Sequence, residues 1–141
     1  MAIRTISEVM SKTLHTINAD LPLEQAKRQM YDFGVRHLPV LKGGRCVGIL
    51  SDRDLKLAYA VESDKAAKLP VGDACQSEVY TVGQSTPLRE VAAHMGETGI
   101  GSALILDDRE KVVGIFTTTD ACKALAHELS YNLPRKSPGT V

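Results

Sequence analysis

The stretch Gly48–Asp54, GILSDRD, is repeated in outline at Gly114–Asp120, GIFTTTD. Both stretches read glycine, two apolar residues, a hydroxyl residue, two polar residues and an aspartate. The apolar half is typical of a buried strand, and the polar half is typical of the first turn of a helix. A hydroxyl and a carboxylate three residues apart at such a junction suit a sugar-phosphate ligand, because carboxylates accept from sugar hydroxyls and helix N-termini favour phosphate. Two copies predict two such sites.

The sequence that precedes each stretch is also duplicated. The aligned pairs are Pro22 with Pro87, Met30 with Met95, and Gly34 with Gly99. Each unit therefore reads as a helix that begins at a proline, carries an apolar stripe and ends at a glycine. A repeat of this length predicts a duplicated subdomain rather than a solenoid.

Two short strands and a second helix are predicted to complete each unit. In the first unit the strands are Val35–Leu41 and Cys46–Ser51, joined by a glycine turn, and the helix covers 52–60. In the second unit the corresponding elements are Ser102–Leu106, Val112–Thr117 and the helix 118–128. The predicted fold class is α+β, with one motif at 5–60, a connector at 61–70, a second motif at 71–128 and a flexible C-terminal tail at 129–141.

The composition excludes several classes of protein. The 141 residues are 43% hydrophobic and 24% charged, as expected of a soluble globular chain. Lys plus Arg and Asp plus Glu are 17 each, and aromatic residues make up only 4%, which disfavours a nucleic-acid partner. No apolar run approaches the roughly 20 residues that span a bilayer. Three cysteines without CxxC spacing indicate neither a disulfide framework nor a zinc site, so we expect a cytoplasmic protein.

Taken together, these features resemble a tandem pair of cystathionine-β-synthase-type (CBS) domains. The resemblance covers about residues 5–128 and depends on the proline-leucine helix start, the strand RHLPV at Arg36–Val40, and the two Gly-x-x-[Ser/Thr]-x-x-Asp stretches. It implies two β-α-β-β-α CBS motifs packed about a pseudo-two-fold axis, a Bateman-type module, with two clefts. Because no catalytic domain is left over, the chain resembles a stand-alone CBS-domain protein.

The resemblance also implies a ligand and a mode of action. Members of the family bind adenosine-containing ligands, so we expect an adenine nucleotide, with AMP first and ADP or ATP next. S-adenosylmethionine and NAD(H) are further candidates, and Mg²⁺ is expected only together with ATP. Members commonly form disc-like dimers, so we expect a homodimer that signals to an unknown regulated protein.

Within this scheme Asp54 and Asp120 are the leading candidates for ribose binding. Ser51 and Thr117 are placed to bond phosphate or ribose, although either can be only a helix cap. Arg36, His37 and Arg53 are the nearest cations, with a solvated surface role as the alternative. The second unit has Gly101, Ser102 and Thr119 at the equivalent positions. We therefore expect two sites of unequal affinity.

The base is expected to lie between short backbone stretches of each motif. The residues of these stretches, for which a plain core role is the alternative, are Thr16, Ile17, Val35, Leu38, Pro39, Thr81, Val82, Ile100, Gly101, Ser102 and Ala103. We expect no catalytic residue and no metal site, because no nucleophile with a base and no metal-ligand triad stands at a recognisable spacing. The leading function is a nucleotide-sensing regulatory module that responds by a conformational or oligomeric change. The alternatives are a ligand-independent dimerisation or protein-interaction module and, less favoured, an enzyme.

Overall fold

Two three-stranded sheets carry the fold of residues 4–132, the part of the chain that this computed structural model describes. In each sheet a short first strand lies parallel to the middle strand, and the middle and last strands form an antiparallel hairpin. The strands of the first sheet are β1 (Ile17–Asn18), β2 (His37–Lys42) and β3 (Arg45–Ser51). Those of the second are β4 (Thr81–Gly83), β5 (Ser102–Leu106) and β6 (Val112–Thr117). The predicted α+β class and the internal duplication are confirmed.

Helices connect and flank the strands in the same order in both halves. They are α1 (Leu23–Phe33), α2 (Asp52–Glu62), α3 (Val71–Ala74), α4 (Leu88–Thr98) and α5 (Thr118–Asn132), with 3₁₀ turns at Ile6–Glu8 and Ser63–Lys68. Helices α1 and α4 end at Gly34 and Gly99, whose φ angles are 64° and 77°. Glycine adopts this left-handed conformation without a steric penalty, as the sequence predicted.

Several predicted boundaries are wrong by a few residues. Strand β2 begins at His37 rather than Val35, because the Val35 N–H still bonds the Met30 carbonyl (3.1 Å) and completes the end of α1. Helix α2 runs to Glu62, and α5 runs to Asn132, so 129–132 are helical rather than part of a tail. No glycine or proline occurs within 118–132 to interrupt α5. The remainder of the predicted tail lies outside the described residues.

The strands that lead to the repeated junctions have both faces packed. In β3, Leu50 belongs to the core of the first motif, whereas its neighbour Ile49 points to the other sheet. In β6, Phe116 and Ile115 divide in the same way between the second core and the inter-sheet cluster. Alternate side chains of a strand point to opposite faces, so one strand serves both layers. The two sheets therefore pack face to face through a shared apolar layer.

Each motif receives a segment from elsewhere in the chain. The N-terminal segment, residues 4–11, packs on the second motif, where Ile6 is fully buried among the side chains of the second core. The linking segment, residues 69–76, packs on the first motif, where Val71 is fully buried. Each segment thus leads into the strands of one motif and packs on the core of the other motif. Neither core is complete without this exchange.

The two motif glycines are explained by these segments. A Cβ atom on Gly48 would lie 2.6 Å from the Gln76 carbonyl oxygen and 2.7 Å from Cys75 Sγ. A Cβ atom on Gly114 would collide with the side chain of Met10. The close neighbour at both positions is therefore a segment of the protein itself, and glycine is required because the segment crosses the strand without room for a side chain.

We expect Gly48→Ala to destabilise the fold more than Gly114→Ala. The first substitution presses on a backbone carbonyl and should cost about 3 kcal/mol, whereas the flexible Met10 side chain can move and reduce the second cost to about 1 kcal/mol. Urea denaturation of the three proteins measures the difference. Gly96→Ala, in helix α4 with open space around it, is the control and should be neutral or stabilising. Equal losses at Gly48 and Gly114 would contradict this account.

Candidate functional site

Each strand-to-helix junction is closed by its own aspartate. At the first junction the Ser51 N–H donates to Asp54 Oδ2 (3.0 Å), and the Asp54 N–H donates to Ser51 Oγ (3.1 Å). At the second, the Thr117 N–H and hydroxyl donate to Asp120 Oδ2 at 2.9 and 3.1 Å. Such reciprocal bonds satisfy the first backbone N–H groups of a helix. The helix-cap role of all four side chains is real, and it occupies one oxygen of each carboxylate.

The second carboxylate oxygen distinguishes the two junctions. Asp54 Oδ1 accepts a hydrogen bond from the side-chain amide of Gln76 at 3.0 Å. Asp120 Oδ1 has no hydrogen-bond partner among residues 4–132. A carboxylate oxygen without an internal partner is a strong acceptor for a donor supplied from outside. Only the second junction offers such an oxygen within the described chain.

Asp120 borders a cleft of about 430 Å³ formed by both motifs, which we call the Asp120 cleft. Its size lies within the ordinary range of small-molecule sites, about 300–1,000 Å³. The first half of the chain supplies Ser11, Thr13, Leu14, His15, Gly34, Val35, Arg36, His37 and Pro39. The second half supplies Ile115, Thr117, Thr118, Thr119, Asp120 and Lys123. A molecule in this cleft would contact both motifs at once.

Three basic side chains lie along the Asp120 cleft. Arg36 is exposed, His37 is half-buried, and Lys123 stands one helical turn beyond Thr119 on α5. Burial lowers the pKa of His37 below its ordinary 6.5; Asp52 and Asp54 oppose this effect, and Arg36 adds to it. His37 is therefore a neutral ring at neutral pH, poised to take a proton if an anion approaches.

His15, which lines the same cleft, is one ring of a stacked pair. The His15 and Phe33 rings lie 3.9 Å apart between centroids with an interplanar angle of 10°. The equivalent of His15 in the second motif is Tyr80, which stacks on His94 at 4.1 Å and 28°. A ring held from behind in this way presents a flat apolar face on which another planar ring can stack.

Comparison with known proteins agrees with this architecture. A family model described as the CBS domain matches residues 6–61 and 71–127. This chain belongs to the CBS domain family. A CBS domain-containing protein of Dictyostelium discoideum is 31% identical over 125 residues, covering 82% of this chain and 86% of that protein. The tandem CBS assignment is confirmed.

Solved structures of CBS pairs share the fold over nearly the whole chain. A Vibrio cholerae protein provisionally assigned to acetoin utilization is 26% identical with a TM-score of 0.82, covering 95% of this chain and 100% of that one. The CBS pair of protein MJ0100, in complex with 5′-methylthioadenosine and S-adenosyl-L-methionine, is 24% identical with a TM-score of 0.78. That alignment covers 90% of this chain and 99% of the MJ0100 chain.

Other curated relatives are much longer than this CBS pair. The chain spans about a quarter of the length of relatives that include a homoserine O-acetyltransferase of Methanohalobium evestigatum, which is 22% identical over 121 residues. CBS pairs thus occur both as small proteins and within enzymes. The likeness to the enzymes lies in the CBS pair and carries no catalytic function to this chain.

The predicted site residues fall into three groups. Those that line the Asp120 cleft are Val35, Arg36, His37, Pro39, Thr117, Thr119 and Asp120. Those whose side chains are buried elsewhere are Ile17, Leu38, Ser102 and Ala103, so for these the alternative of a core role describes the side chain. The lining of this cleft does not include Thr16, Ser51, Arg53, Asp54, Thr81, Val82, Ile100 or Gly101, of which Ser51, Arg53 and Asp54 belong to the first junction.

Some cleft residues were missed by the sequence analysis. Ser11 and Thr13 precede β1, the first strand, and only the tertiary crossing of the N-terminal segment brings them to Asp120. Lys123 could have been predicted from the sequence, because it lies four residues after Thr119 and therefore on the same face of the helix. Of the three cations named from the first unit, Arg36 and His37 line the cleft of Asp120 in the second unit, and Arg53 does not.

Residues 4–132 contain neither a candidate metal-binding cluster nor a candidate membrane-spanning helix. No cluster of three or more His, Cys, Asp or Glu side chains suited to a metal ion occurs in this part of the chain. No helix within it is long and apolar enough to cross a membrane.

The lowered pKa of His37 predicts a pH-dependent stability. The unfolded chain, with an ordinary pKa near 6.5, binds this proton more tightly than the folded protein does. His37 therefore stabilises the fold above pH 6.5, and this contribution is lost as the pH falls from 6.5 through the lowered folded value. Each pH unit in that window costs at most about 1.4 kcal/mol.

Urea denaturation at pH 7.5 and 5.5 tests this prediction. The loss of stability at pH 5.5 should be smaller in His37→Gln than in the parent, since the other three histidines are common to both proteins. An equal or larger loss in the variant would show that His37 does not carry the effect.

Proposed function

We propose that this CBS pair is a regulatory module that binds an adenine nucleotide in the Asp120 cleft. The observation that carries the proposal is an unpartnered carboxylate oxygen, Asp120 Oδ1, in the same cleft as Arg36, His37 and Lys123. A nucleotide has the complementary groups in one molecule: neutral hydroxyl donors on the ribose and a negative phosphate nearby. Neither the acid nor the bases alone would select it.

The ribose is assigned to Asp120. Its Oδ2 is held by Thr117, which fixes the direction of the carboxylate without using Oδ1. A sugar hydroxyl that donates to a charged acceptor forms one of the stronger classes of hydrogen bond. Because the acceptor is already oriented by the cap, little side-chain entropy is lost on binding.

The phosphate is assigned to the basic side of the cleft. Arg36 and Lys123 supply fixed positive charge, and the N-terminus of α5, at Thr119, adds the positive end of a helix. This charge favours AMP, ADP or ATP over S-adenosylmethionine, whose sulfonium is positive. The MJ0100 pair is solved in complex with S-adenosyl-L-methionine and 5′-methylthioadenosine. The adenosine group that these ligands share supports an adenosine-type ligand here, and the basic residues of the cleft then favour a phosphate as its charged group.

The base is assigned to the apolar side of the cleft, beside His15 and Val35. The His15 ring is supported from behind by Phe33 at 3.9 Å, so it can stack on a purine without reorganising. The Val35 N–H and the Arg36 carbonyl are already bonded to Met30 and Asp52. Reading of the hydrogen-bonding edge of the base is therefore assigned to the other backbone groups of residues 34–37. AMP remains the first candidate, and Mg²⁺ enters only with ATP, bound mainly through its phosphates.

Regulation follows from the position of the cleft between motifs. A ligand that contacts both motifs favours the arrangement to which it binds more tightly, and only by the margin between its affinities for the two arrangements. We propose that this shift is transmitted to a regulated protein through a homodimer in the cytoplasm. The proposal assigns no reaction to the protein.

The second candidate function is association that does not depend on a ligand. Helices α2 and α5 expose large apolar side chains, with 69% of Val61 and 58% of Leu125 accessible. Exposed apolar residues on two helices suit contact with another protein surface. In this alternative the capped aspartates are only part of the scaffold.

A ligand panel separates the two candidate functions. We expect AMP, ADP or ATP to raise the melting temperature more than S-adenosylmethionine or 5′-methylthioadenosine, because binding to the native state stabilises it. The shift should shrink at high salt, since charge attraction is screened. Differential scanning fluorimetry provides the measurement. No shift with any compound, while the oligomeric state persists, would favour the association module.

Asp120→Ala should weaken nucleotide affinity by about 10- to 100-fold, the equivalent of one hydrogen bond to a charged group. Isothermal titration calorimetry with the nucleotide that gives the largest thermal shift measures the loss. Asp54→Ala is the matched control for the helix cap, because it removes the equivalent capping contact. Unchanged affinity in Asp120→Ala would contradict the ribose assignment.

A further inference from the structure

One pair of equivalent positions by which the two junctions differ lies on the segments that cross the strands. Ser11 pairs with Ile115 through two backbone hydrogen bonds of 2.8 and 3.0 Å. Gln76 pairs with Ile49 through two equivalent bonds of 2.9 Å. Ile115 and Ile49 follow the motif glycines directly, so Ser11 and Gln76 occupy the same place beside Asp120 and Asp54. The backbone is duplicated here and the side chain is not.

The side chain at this place decides what the second carboxylate oxygen does. Gln76 is long enough to reach Asp54, and its amide donates to Oδ1 at 3.0 Å. Ser11 is short, lines the Asp120 cleft and makes no such bond to Asp120. At Asp54 the acceptor that would receive a ribose hydroxyl is therefore already occupied by the chain itself.

The charges around the two junctions differ in the same direction. The basic residues Arg36, His37 and Lys123 of the Asp120 cleft correspond to Gly101, Ser102 and Leu57 at the Asp54 junction. In addition, the acidic Glu78 stands at the position equivalent to Thr13 of the cleft. In the opposite sense, the basic Arg53 stands at the position equivalent to Thr119. Asp52 likewise stands at the position equivalent to Thr118, so a phosphate beside Asp54 would meet one basic side chain and two added carboxylates among these equivalent positions. The Asp54 junction is therefore less favourable for an anion than the Asp120 cleft.

We propose that each chain binds a single nucleotide, in the Asp120 cleft, and that Gln76 acts as an internal substitute for the ribose at Asp54. This inference rests on the proposed function and adds the number and location of occupied sites. The Asp54 junction keeps its capping box and serves as structure. The pair is a one-site sensor despite its two motif copies.

Binding stoichiometry tests the number of sites. Isothermal titration calorimetry with ATP and, separately, AMP is expected to give one equivalent per chain. Its affinity should fall about 10- to 100-fold in Asp120→Ala and stay within about two-fold in Asp54→Ala. Two equivalents, or loss of binding in Asp54→Ala, would overturn the inference while leaving nucleotide binding in place. No binding of either nucleotide to the parent protein would overturn the proposed function as well.

A reciprocal exchange tests the role of Gln76. Ser11→Gln places the long amide beside Asp120 and should weaken ATP binding at least tenfold, whereas Gln76→Ser should leave the affinity of the occupied cleft unchanged. Thermal melting of both variants checks that each one folds. Undiminished ATP affinity in a folded Ser11→Gln protein would show that a glutamine at this place does not block the carboxylate. If Ser11→Gln does not fold, the stoichiometry of the Asp54→Ala and Asp120→Ala proteins decides the question.

Discussion

The crossing of each strand by a distant segment, at a glycine, is the contact on which the rest of the molecule depends. At Gly48 the linking segment passes so closely that its carbonyl oxygen would lie 2.6 Å from an added Cβ. This contact delivers Val71 to the first core, and the equivalent crossing at Gly114 delivers Ile6 to the second. Each motif is therefore completed by chain that leads into the other one. We expect the folding of the two halves to be coupled for this reason.

The same crossing also builds the functional chemistry. A segment that bonds to the backbone of the residue after the glycine necessarily places one of its side chains beside the aspartate five residues later. In the second half that side chain is Ser11, which leaves the carboxylate open to the cleft. In the first half it is Gln76, which closes it. A structural contact common to both halves thus positions the one residue by which they differ most directly.

Much of the fold was predictable because it depends on local sequence patterns. The proline and glycine limits of α1, the apolar strands and the capping boxes each depend on residues close in sequence, and duplication allowed one half to check the other. The boundaries that were wrong depend on finer competition, as at Val35, whose N–H completes the helix end before the strand begins. The segment exchange could not be predicted from the sequence, because no residue near Ile6 or Val71 indicates which core will bury that side chain.

The candidate site was predictable in its chemistry and less so in its partners. Asp120, Thr117 and the cations Arg36 and His37 were named from the motif, whereas Ser11 and Thr13 reach the cleft only through the tertiary crossing. Charge shows the same limit. The chain carries 17 basic and 17 acidic residues, yet Arg36, His37 and Lys123 lie together along the Asp120 cleft. The equivalent residues of the other half, Gly101, Ser102 and Leu57, are uncharged. Overall neutrality therefore says nothing about the local field that would select a phosphate.

A capped aspartate has two separable roles, and this explains how a motif can persist without a site. Oδ2 satisfies backbone N–H groups that would otherwise be unpaired at the helix start, a contribution of about 1 kcal/mol that any sequence retaining the helix gains from keeping. Oδ1 is the oxygen available to a ligand, and its fate is set by a residue on a different segment. Substitution at that residue can close the site without disturbing the cap. The number of repeated stretches consequently equals the number of helix junctions and not the number of ligand sites. The side chain that crosses each junction determines whether that junction also binds a ligand.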